Sequence, residues 1–382
     1  MWQKQFSTDR LTENIGFKMY SFQEELLIFL NSIEGLFSNK QLELLSLYDD
    51  AKDLFDNFAD TKPDACTVIS ENLYNKILQK LNHEEINKIV HNLQKDEIKV
   101  TTILSDDYPQ KLKDIPDPPT VLYYKGDLSL VEKTSIAVVG SRKCTGYGAK
   151  VVDLFVKQLA PHDFVIISGM AFGIDEAAHK AAIEYNAKTI AVMGSGFKHI
   201  YPSQHKGLAQ IIQKEGLLIT EFCPEATPQP YHFPMRNRIV SGLSDGILIV
   251  EAGQKSGTHT TLNHALDQGK NVYIIPNDIF SFSSSGSNEM IKSLQGSMVT
   301  SPKDILDDFG LNPDKPKQNM QFDFNETCII NVLKQGQMHF SELLAQTGLD
   351  ITELNFKLST LEIGGVVSKS AGNFYRLTME VN

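Results

Sequence analysis

The spacing of apolar residues divides the chain into segments of different predicted structure. Between residue 20 and about residue 98, apolar side chains recur every three or four positions, which is the spacing of amphipathic helices. The stretches with this spacing are FQEELLIFLNSI, NKQLELLSLY, AKDLFDNF and EEINKIVHNLQ. We predict an N-terminal helical domain over residues 1–98, in which residues 1–20 are an extension. SIEGLFSNKQLELL has the outline of a SAM or helix-hairpin-helix domain, although a small helical bundle without a ligand has the same pattern.

From Thr134 the pattern changes to short, wholly apolar runs that alternate with amphipathic stretches. The apolar runs are SIAVVG, FVIISG, TIAVMG, LLITEF, GILIVEA and NVYIIP. Wholly apolar strands separated by helices are typical of a parallel sheet that is covered on both faces. We therefore predict an α/β domain over residues 99–308, with an extended Rossmann-like, doubly wound and mostly parallel sheet. In such folds, ligands bind beyond the carboxyl ends of the strands.

Proline-containing segments lie on both sides of this pattern. Pro116, Pro118 and Pro119 exclude a helix across their own positions in the lead-in at 99–133, and we predict this segment to be a connector to short strands. Residues 309–323 contain two more prolines and mixed charge, and we predict a linker there.

The last segment, residues 324–382, has its own compact pattern. Three amphipathic stretches are followed by two strand-like runs around Gly372, which is the outline of a winged helix. Its third helical stretch carries Lys357 among several acidic residues, which favours protein interaction over the reading of a DNA duplex.

The composition indicates a globular protein of more than one domain. The chain has 382 residues, of which 41% are hydrophobic and 22% are charged. No apolar run approaches the ~20 residues that cross a bilayer, and residues 1–20 lack the apolar core of a secretory signal. The four cysteines form no CxxC pair, so we expect neither a metal site nor a disulfide. We predict a cytoplasmic protein without membrane contact.

The net charge of −11 argues against general binding of polyanions, but the charge is unevenly distributed. Thr134–Thr300 contains 14 Lys and Arg against 13 Asp and Glu, so the acidity belongs to the flanking segments. The predicted sheet region is therefore the part of the chain that tolerates an anion.

Loops rich in glycine and hydroxyl side chains follow four of the predicted strands. Their glycines let backbone N–H groups approach an anion, and the following helix N-termini add partial positive charge. One such loop is more typical of an ordinary turn, whereas four at one sheet edge predict a phosphate-binding rim. The candidate residues are Gly140, Ser141, Arg142, Thr145, Tyr147, Gly148, Ser168, Gly169, Met170, Lys255, Ser256, Gly257 and Thr258, and Gly194-Ser195-Gly196 forms the fourth loop.

Motifs of known enzyme sites do not occur among these loops. The spacing of Gly140 and Gly148 fails the G-x-G-x-x-G dinucleotide fingerprint, and no P-loop or zinc-protease motif is present. Asp175, Glu221 and Glu251 follow predicted strands and could act as acid or base, but helix capping and loop hydrogen bonding is the simpler interpretation. We predict no catalytic residue, no metal and no cofactor.

The stretch YHFPMRNRIV combines an aromatic side chain with cations. Phe233 precedes a proline in a predicted loop, and Arg236, Asn237 and Arg238 follow within five residues. A single strand of nucleic acid needs cations for its backbone and a flat face for a base. The alternative is a core phenylalanine with arginines that bind loop carboxylates, so we expect at least one arginine to face the rim.

The motifs occur in an order that resembles one known family. GSRKCTGYG, ISGMAFGIDEAAHKAA, GSGFKHIYPSQHKGL, ITEF, FPMRNRIVSGLSDGILIVEAGQKSGTHTT and YIIPND, in this order, resemble the DNA-processing protein A (DprA/Smf) family over residues 100–300. The resemblance implies a non-enzymatic protein that binds single-stranded DNA, forms homodimers through the Rossmann-like domain, and protects incoming DNA and loads the RecA recombinase in natural transformation. It also implies that Ser141 and Arg142 hold phosphates and that Phe233 stacks on a base.

Two other functions fit parts of the pattern. A nucleotide-binding or nucleotide-cleaving Rossmann-like enzyme would use the Glu251 loop, and a pure interaction scaffold would use the sheet domain only to dimerise.

Overall fold

The computed structural model describes residues 20–281, 285–311, 322–334, 336–363, 366–370 and 373–377. The predicted extension up to residue 19, most of the predicted linker at 309–323, and Gly372 lie outside these residues. The chain divides into two compact units, Met1–Asn312 and Pro313–Asn382.

The described part of the first unit begins with six helices. They are α1 (Phe22–Asn31), α2 (Ser38–Leu45), α3 (Ala51–Asn57), α4 (Lys62–Val68), α5 (Glu71–Lys80) and α6 (His83–Lys95). The stretches with helical spacing all form helices, and two further helices, α4 and α5, lie between them. Side chains of Ser21, Asp50, Ser70 and Asn82 accept hydrogen bonds from the first turns of α1, α3, α5 and α6, which defines where these helices begin.

The remainder of the first unit alternates strands and helices. Every predicted apolar run contains a strand. The strands are β1 (Lys99–Thr102), β2 (Val121–Gly126), β3 (Ser135–Val139), β4 (Val165–Ser168), β5 (Thr189–Val192), β6 (Leu217–Thr220), β7 (Gly246–Ile249), β8 (Asn271–Ile274) and β9 (Ser297–Met298). The helices are α7 (Gln110–Lys113), α8 (Gly146–Leu159), α9 (Ile174–Glu184), α10 (Lys206–Glu215), α11 (His232–Leu243), α12 (Thr258–Asp267), α13 (Ser285–Lys292) and α14 (Pro302–Asp308).

These nine strands form one sheet in the order β1-β2-β6-β5-β4-β3-β7-β8-β9. The seven strands from β6 to β9 in this order pair in parallel, whereas β1 and β2 are antiparallel. The prediction of an α/β fold with a mostly parallel sheet is thereby confirmed. The chain moves from β3 toward β6 and then returns to β7, so the strand order reverses between β3 and β7.

Alternate residues of the central strands enter different hydrophobic clusters. On β3, Ile136 and Val138 pack with α8 and α9, while Ala137 and Val139 pack with α11 and α12. This burial on both faces explains why the strands are apolar at every position.

The lead-in at 99–133 does more than connect the helices to the sheet. It supplies β1 and β2, and Val100, Val121 and Tyr123 belong to the same cluster as the N-terminal helices. Ser105 also donates a 2.5 Å hydrogen bond to Glu24 of α1. The division of residues 1–98 and 99–308 into separate domains stays a prediction.

The second unit has three helices and a small sheet. α15 (Phe324–Leu333), α16 (Phe340–Thr347) and α17 (Ile351–Ile363) pack around one core that includes Leu343 and Leu358. The strands β10 (Met338–His339), β11 (Val367–Ser370) and β12 (Phe374–Leu377) form a sheet in the order β10-β12-β11.

One helix of the first unit replaces a predicted loop. Phe233 lies in the first turn of α11, not in a loop. Pro234 is compatible with this position because first-turn backbone N–H groups have no partner within the helix.

Candidate functional site

A cavity of about 770 Å³ lies at the carboxyl ends of β3, β4 and β7, where the strand order reverses. We refer to it as the strand-end cavity. The predicted residues that line it are Gly140, Ser141, Arg142, Gly169, Phe233, Arg236, Asn237, Lys255, Ser256, Gly257 and Thr258. Loops from three strands and the first turns of α11 and α12 therefore meet at one site.

The loop after β3 is held close to the sheet. A Cβ on Gly140 would lie 2.7 Å from Ile174 Cγ1 and 2.9 Å from the Glu251 carbonyl oxygen, so only glycine fits there. The Ser141 N–H donates to the same carbonyl oxygen at 2.7 Å. The next side chains, Arg142 and Lys143, are exposed and have no ion-pair partner in the described part of the chain.

Glu251 fixes the position of this loop through hydrogen bonds. Its carboxylate accepts hydrogen bonds from the Thr145 hydroxyl and, at 3.0 Å, from the Thr145 N–H. A Cβ on Gly148 would lie 2.6 Å from the same carboxylate. Glu251 is 1% exposed, so the carboxylate orders the loop and is not presented to the strand-end cavity.

Phe233 forms part of the cavity wall together with Arg142. The Arg142 guanidinium carbon lies 5.1 Å from the centroid of the Phe233 ring, within the range of a cation–π contact. The ring also packs near Gly194, where a Cβ would lie 2.9 Å from the ring, and its centroid is 5.5 Å from that of Tyr201. The ring is half-buried, so its position is set by packing while part of it remains accessible.

Arg236 is a buried cation in the floor of the cavity. Its guanidinium donates to the carbonyl oxygens of Gly169 and Val192, at the ends of β4 and β5. Burial lowers the pKa of Arg236 to about 10, the positive charge of Arg142 acts in the same direction, and the nearby carboxylate of Asp175 opposes the shift. Arg236 is therefore still protonated at pH 7.

The carboxylates of Asp175 and Glu221 also form hydrogen bonds with other groups of the protein. Asp175 accepts hydrogen bonds from the N–H groups of Gly169 at 3.1 Å and Ala171 at 3.3 Å. Burial raises the pKa of Asp175, which Arg236 and these donors oppose. Asp175, Glu221 and Glu251 therefore all bind donors within the protein. This agrees with the simpler interpretation from the sequence, in which these carboxylates have structural and not acid–base roles.

Arg238 lies away from the strand-end cavity. It is 4% exposed and makes two hydrogen bonds to Glu221, at 2.8 and 2.6 Å, and one to Asp117 at 3.1 Å. This contact joins α11 to the end of β6 and to the proline-rich lead-in. Arg236 is likewise only 3% exposed. The expectation that at least one of these two arginines faces solvent on the rim is therefore wrong, and Arg238 has the carboxylate-binding position of the alternative interpretation.

The loop before α12 closes the cavity on the side of β7. The Ser256 hydroxyl accepts from the Thr258 N–H at 3.2 Å, and Lys255 is exposed. Behind the loop, the Ser287 hydroxyl accepts from the Ala252 N–H at 2.8 Å, and a Cβ on Gly286 would clash with the Gly253 carbonyl oxygen at 2.6 Å.

Five further predicted residues do not line the cavity. Their role in binding stays a prediction, and their contacts in the structure are internal. Thr145 and Gly148 contact Glu251, Tyr147 donates to the Pro276 carbonyl oxygen at 2.9 Å, Ser168 donates to that of Val138 at 2.7 Å, and Met170 is fully buried against Ala209 and Ile212.

Sequence reasoning missed Lys143 and Gln254, which also line the cavity. Lys143 directly follows Arg142 in the same loop, and this position next to a predicted phosphate-binding residue could have indicated it.

The part of the chain that the structure describes has no helix with the length and apolar character needed to cross a bilayer.

Comparison with known proteins places this site in context. A family model described as DNA recombination-mediator protein A matches residues 99–310. The chain is 40% identical over 227 residues to the DNA processing protein DprA of Bacillus subtilis, covering 59% of this chain and 74% of that protein. It is 36% identical over 293 residues to Protein Smf of Escherichia coli, covering 72% and 76%.

Solved structures agree with the sequence matches. The X-ray structure of DNA processing protein A from Streptococcus pneumoniae matches with a TM-score of 0.65 and 33% identity, covering 74% of this chain and 97% of that one. A structure concerned with the single-stranded DNA binding mode of DNA processing protein A from Helicobacter pylori matches with a TM-score of 0.51 and 27% identity, covering 55% and 95%.

Proposed function

The chain belongs to the DNA recombination-mediator protein A family, as its ordered motifs predict, and we propose from this membership that it binds single-stranded DNA in the strand-end cavity. The observation that carries the proposal is the exposed Arg142 guanidinium 5.1 Å from the accessible Phe233 ring, at the mouth of a cavity of about 770 Å³. A cation beside an aromatic face is the combination that a single strand requires.

Each part of the strand has a matching part of the cavity. Phosphates bind the exposed cations Arg142, Lys143 and Lys255 and the N–H groups of the surrounding loops. A base stacks on Phe233. Preference for single strands follows because a paired base is not free to leave its neighbours and lie on an aromatic ring. Arg236 shapes the floor of the cavity by holding β4 and β5 together.

The test is fluorescence anisotropy of labelled single-stranded and duplex oligomers. We expect Arg142→Ala to weaken single-strand binding about tenfold, because it removes a phosphate contact and the cation that flanks Phe233. Lys150→Ala removes the same charge from α8, outside the cavity, and is the matched control. Equal loss in both variants, or no single-strand binding at low salt, would contradict the proposal.

We also propose the wider role implied by the family. The protein protects incoming DNA and loads the RecA recombinase in the cytoplasm during natural transformation or homologous recombination, and has no catalytic activity. The enzyme alternative needs a free carboxylate in the Glu251 loop, and Glu251 is bound to Thr145. Release of base or phosphate from nucleoside monophosphates would support the enzyme instead.

The finer description of the fold belongs to the same proposal. We describe residues 99–308 as an extended Rossmann-like domain, the N-terminal helices as SAM-like or helix-hairpin-helix-like, and the second unit as winged-helix-like. In that unit Lys357 pairs with Asp323 and, at 3.3 Å, with Glu326, so it is not available for DNA phosphates. This favours protein interaction for the second unit.

The proposed homodimer forms through the edge of β9 that pairs with no other strand among the described residues. Exposed apolar side chains lie on β9 and just before it in the chain, because Met298 is 57% exposed and Leu294 is 90% exposed. An unpaired strand edge with apolar neighbours is a ready surface for a second copy. Light scattering should show a dimer that Leu294→Glu converts to a monomer, and an unchanged mass would contradict this assignment.

A further inference from the structure

A second cavity, of about 550 Å³, lies between the N-terminal helices and the end of β6. We call it the helix-side cavity. Its wall includes Phe37, Lys76, Lys80, Phe222, Tyr231 and His232. The segment 229–234 separates it from the strand-end cavity. Pro230, Phe233 and Pro234 line the strand-end cavity, whereas Gln229, Tyr231 and His232 line the helix-side cavity. The two cavities therefore lie on either side of one short backbone segment.

Aromatic rings form much of the helix-side wall. The ring centroids of Phe37 and Tyr231 are 6.1 Å apart at an interplanar angle of 80°, and those of Phe222 and His232 are 3.9 Å apart and stacked at 25°. Tyr231 is 48% exposed. An exposed ring held by other rings offers a flat face to a planar ligand, as a nucleobase has.

His232 adds a polar group with an unmet hydrogen-bonding capacity. Its side chain is 7% exposed, and its Nδ1 atom has no hydrogen-bond partner among the described residues. A buried polar atom without a partner is uncommon and costs free energy. Burial lowers the pKa of His232, and the backbone of Gly194, the carboxylate of Glu34 and the backbone of Thr227 oppose the shift. The lowered pKa favours the neutral ring, which can exchange a hydrogen bond with the edge of a base.

The charges at this cavity favour a phosphate. Lys76 and Lys80 on α5 have no ion-pair partner in the described residues. Two of the three carboxylates are neutralised, because Glu221 pairs with Arg238 and Glu225 pairs with Lys198 at 2.9 Å. Glu34 is the remaining carboxylate at the wall, so one unpaired negative charge faces two unpaired positive charges.

We propose that the helix-side cavity is a second nucleotide subsite for the same DNA strand that occupies the strand-end cavity. A base lies against Tyr231 and Phe37 with its edge at His232, and its phosphate contacts Lys76 and Lys80. The proposal rests on single-strand binding at the strand-end cavity, and it makes the N-terminal helices part of the DNA-binding surface.

The test compares anisotropy titrations with a short oligomer of about six nucleotides and a long one of about 20, chosen to fill one cavity or both. For the long oligomer, we expect Tyr231→Ala to weaken binding about tenfold, because one base loses its stacking partner. Tyr231→Phe keeps the ring and should bind as the parent chain does. Short-oligomer binding should be unchanged in both variants, which also controls for correct folding.

The contribution of Lys76 and Lys80 is measured from the salt dependence of the affinity. For the long oligomer, the double variant Lys76→Ala, Lys80→Ala should reduce the slope of log affinity against log salt by about 1.4, which is about 0.7 for each lost cation on a single strand. The matched control, Lys52→Ala with Lys95→Ala, removes two exposed lysines from the neighbouring helices α3 and α6, and these lysines line neither cavity.

The outcomes separate this inference from the function on which it rests. If Arg142→Ala weakens both oligomers while Tyr231→Ala and the lysine variant bind the long one normally, the strand-end site stands and the second subsite is wrong. If the parent chain binds neither oligomer at low salt, both proposals fail. Photocrosslinking of a long oligomer with 4-thiothymine at successive positions gives direct support if it labels Tyr231, and overturns the subsite if labels stay on strand-end residues.

Discussion

Two arginines show how burial decides what a guanidinium can do. Arg142 is exposed beside Phe233, while Arg238 is 4% exposed between Glu221 and Asp117. The residue type is the same, but of these two arginines only Arg142 is available to a phosphate. We therefore expect substitution of Arg142 to change DNA affinity and substitution of Arg238 to change stability.

We predict that Arg238→Ala lowers stability. The substitution leaves the buried carboxylate of Glu221 without its partner, and breaking a buried ion pair on one side costs about 3–5 kcal/mol. Urea unfolding followed by circular dichroism measures the change. Lys180→Ala removes the exposed pair with Glu176 and should cost less than about 1 kcal/mol. Equal effects in the two variants would contradict the structural role of Arg238.

Two glycines in the first turn of α8 should respond differently to alanine. A Cβ on Gly148 would lie 2.6 Å from the Glu251 carboxylate, whereas a Cβ on Gly146 has nothing within 4 Å. We expect Gly148→Ala to cost about 1–3 kcal/mol of unfolding free energy and to weaken single-strand binding by displacing the loop. Gly146→Ala should be neutral or slightly stabilising. The prediction is wrong if melting temperatures of the two variants coincide.

At the scale of the elements, α9 carries a buried titratable group. His179 is fully buried, and its Nδ1 lies 2.7 Å from the Thr189 hydroxyl oxygen of β5. Burial lowers the pKa of His179 from 6.5 to about 3, and electrostatic interactions with His205 and Arg236 add to the shift. The unfolded chain therefore takes up a proton at a pH where the folded chain does not.

This shift predicts a loss of stability in acid. Between pH 6.5 and about 3 the unfolded state binds one more proton at His179, so stability decreases as the pH falls, by up to about 1.4 kcal/mol per pH unit. His179→Gln should flatten the dependence of unfolding free energy on pH from about 6.5 to 4.5. His91→Gln removes an exposed imidazole and is the control. Identical slopes in all three proteins would contradict the prediction.

The helix α11 shows why one element escaped sequence reasoning. The prolines around its start are typical of a loop, and its residues Arg236, Ile239 and Val240 are buried together with polar neighbours. No single apolar stripe marks such a helix, because contacts with the strand ends bury its polar side chains as well. By contrast, α8 and α9 have one apolar face each against the sheet, and their spacing predicted them.

At the scale of the whole molecule, the net charge of −11 comes from the segments that flank Thr134–Thr300 in the sequence, whereas the residues that line the strand-end cavity belong to that near-neutral segment. Screening at physiological salt limits the reach of the acidic flanks to about 8 Å. We predict that the affinity for a short single strand falls with salt with a log–log slope of about −2, which is about 0.7 for each of Arg142, Lys143 and Lys255. Titrations over a salt series measure the slope, and Lys143→Ala should reduce it by about 0.7. A slope near zero would indicate that these cations do not contact phosphates.

By itself, the sequence determined the family and most of the local elements, with α11 as an exception. Strand and helix periodicities are set by which neighbouring positions are buried, and glycines such as Gly140 and Gly148 mark close approaches that no other residue permits. Tertiary structure alone decided which predicted side chains share a cavity, that the lead-in completes the sheet, and that segment 229–234 separates two cavities. Burial and ion pairing depend on residues far apart in the chain. The difference between Arg142 and Arg238 therefore arises only when β6, α11 and the lead-in pack together.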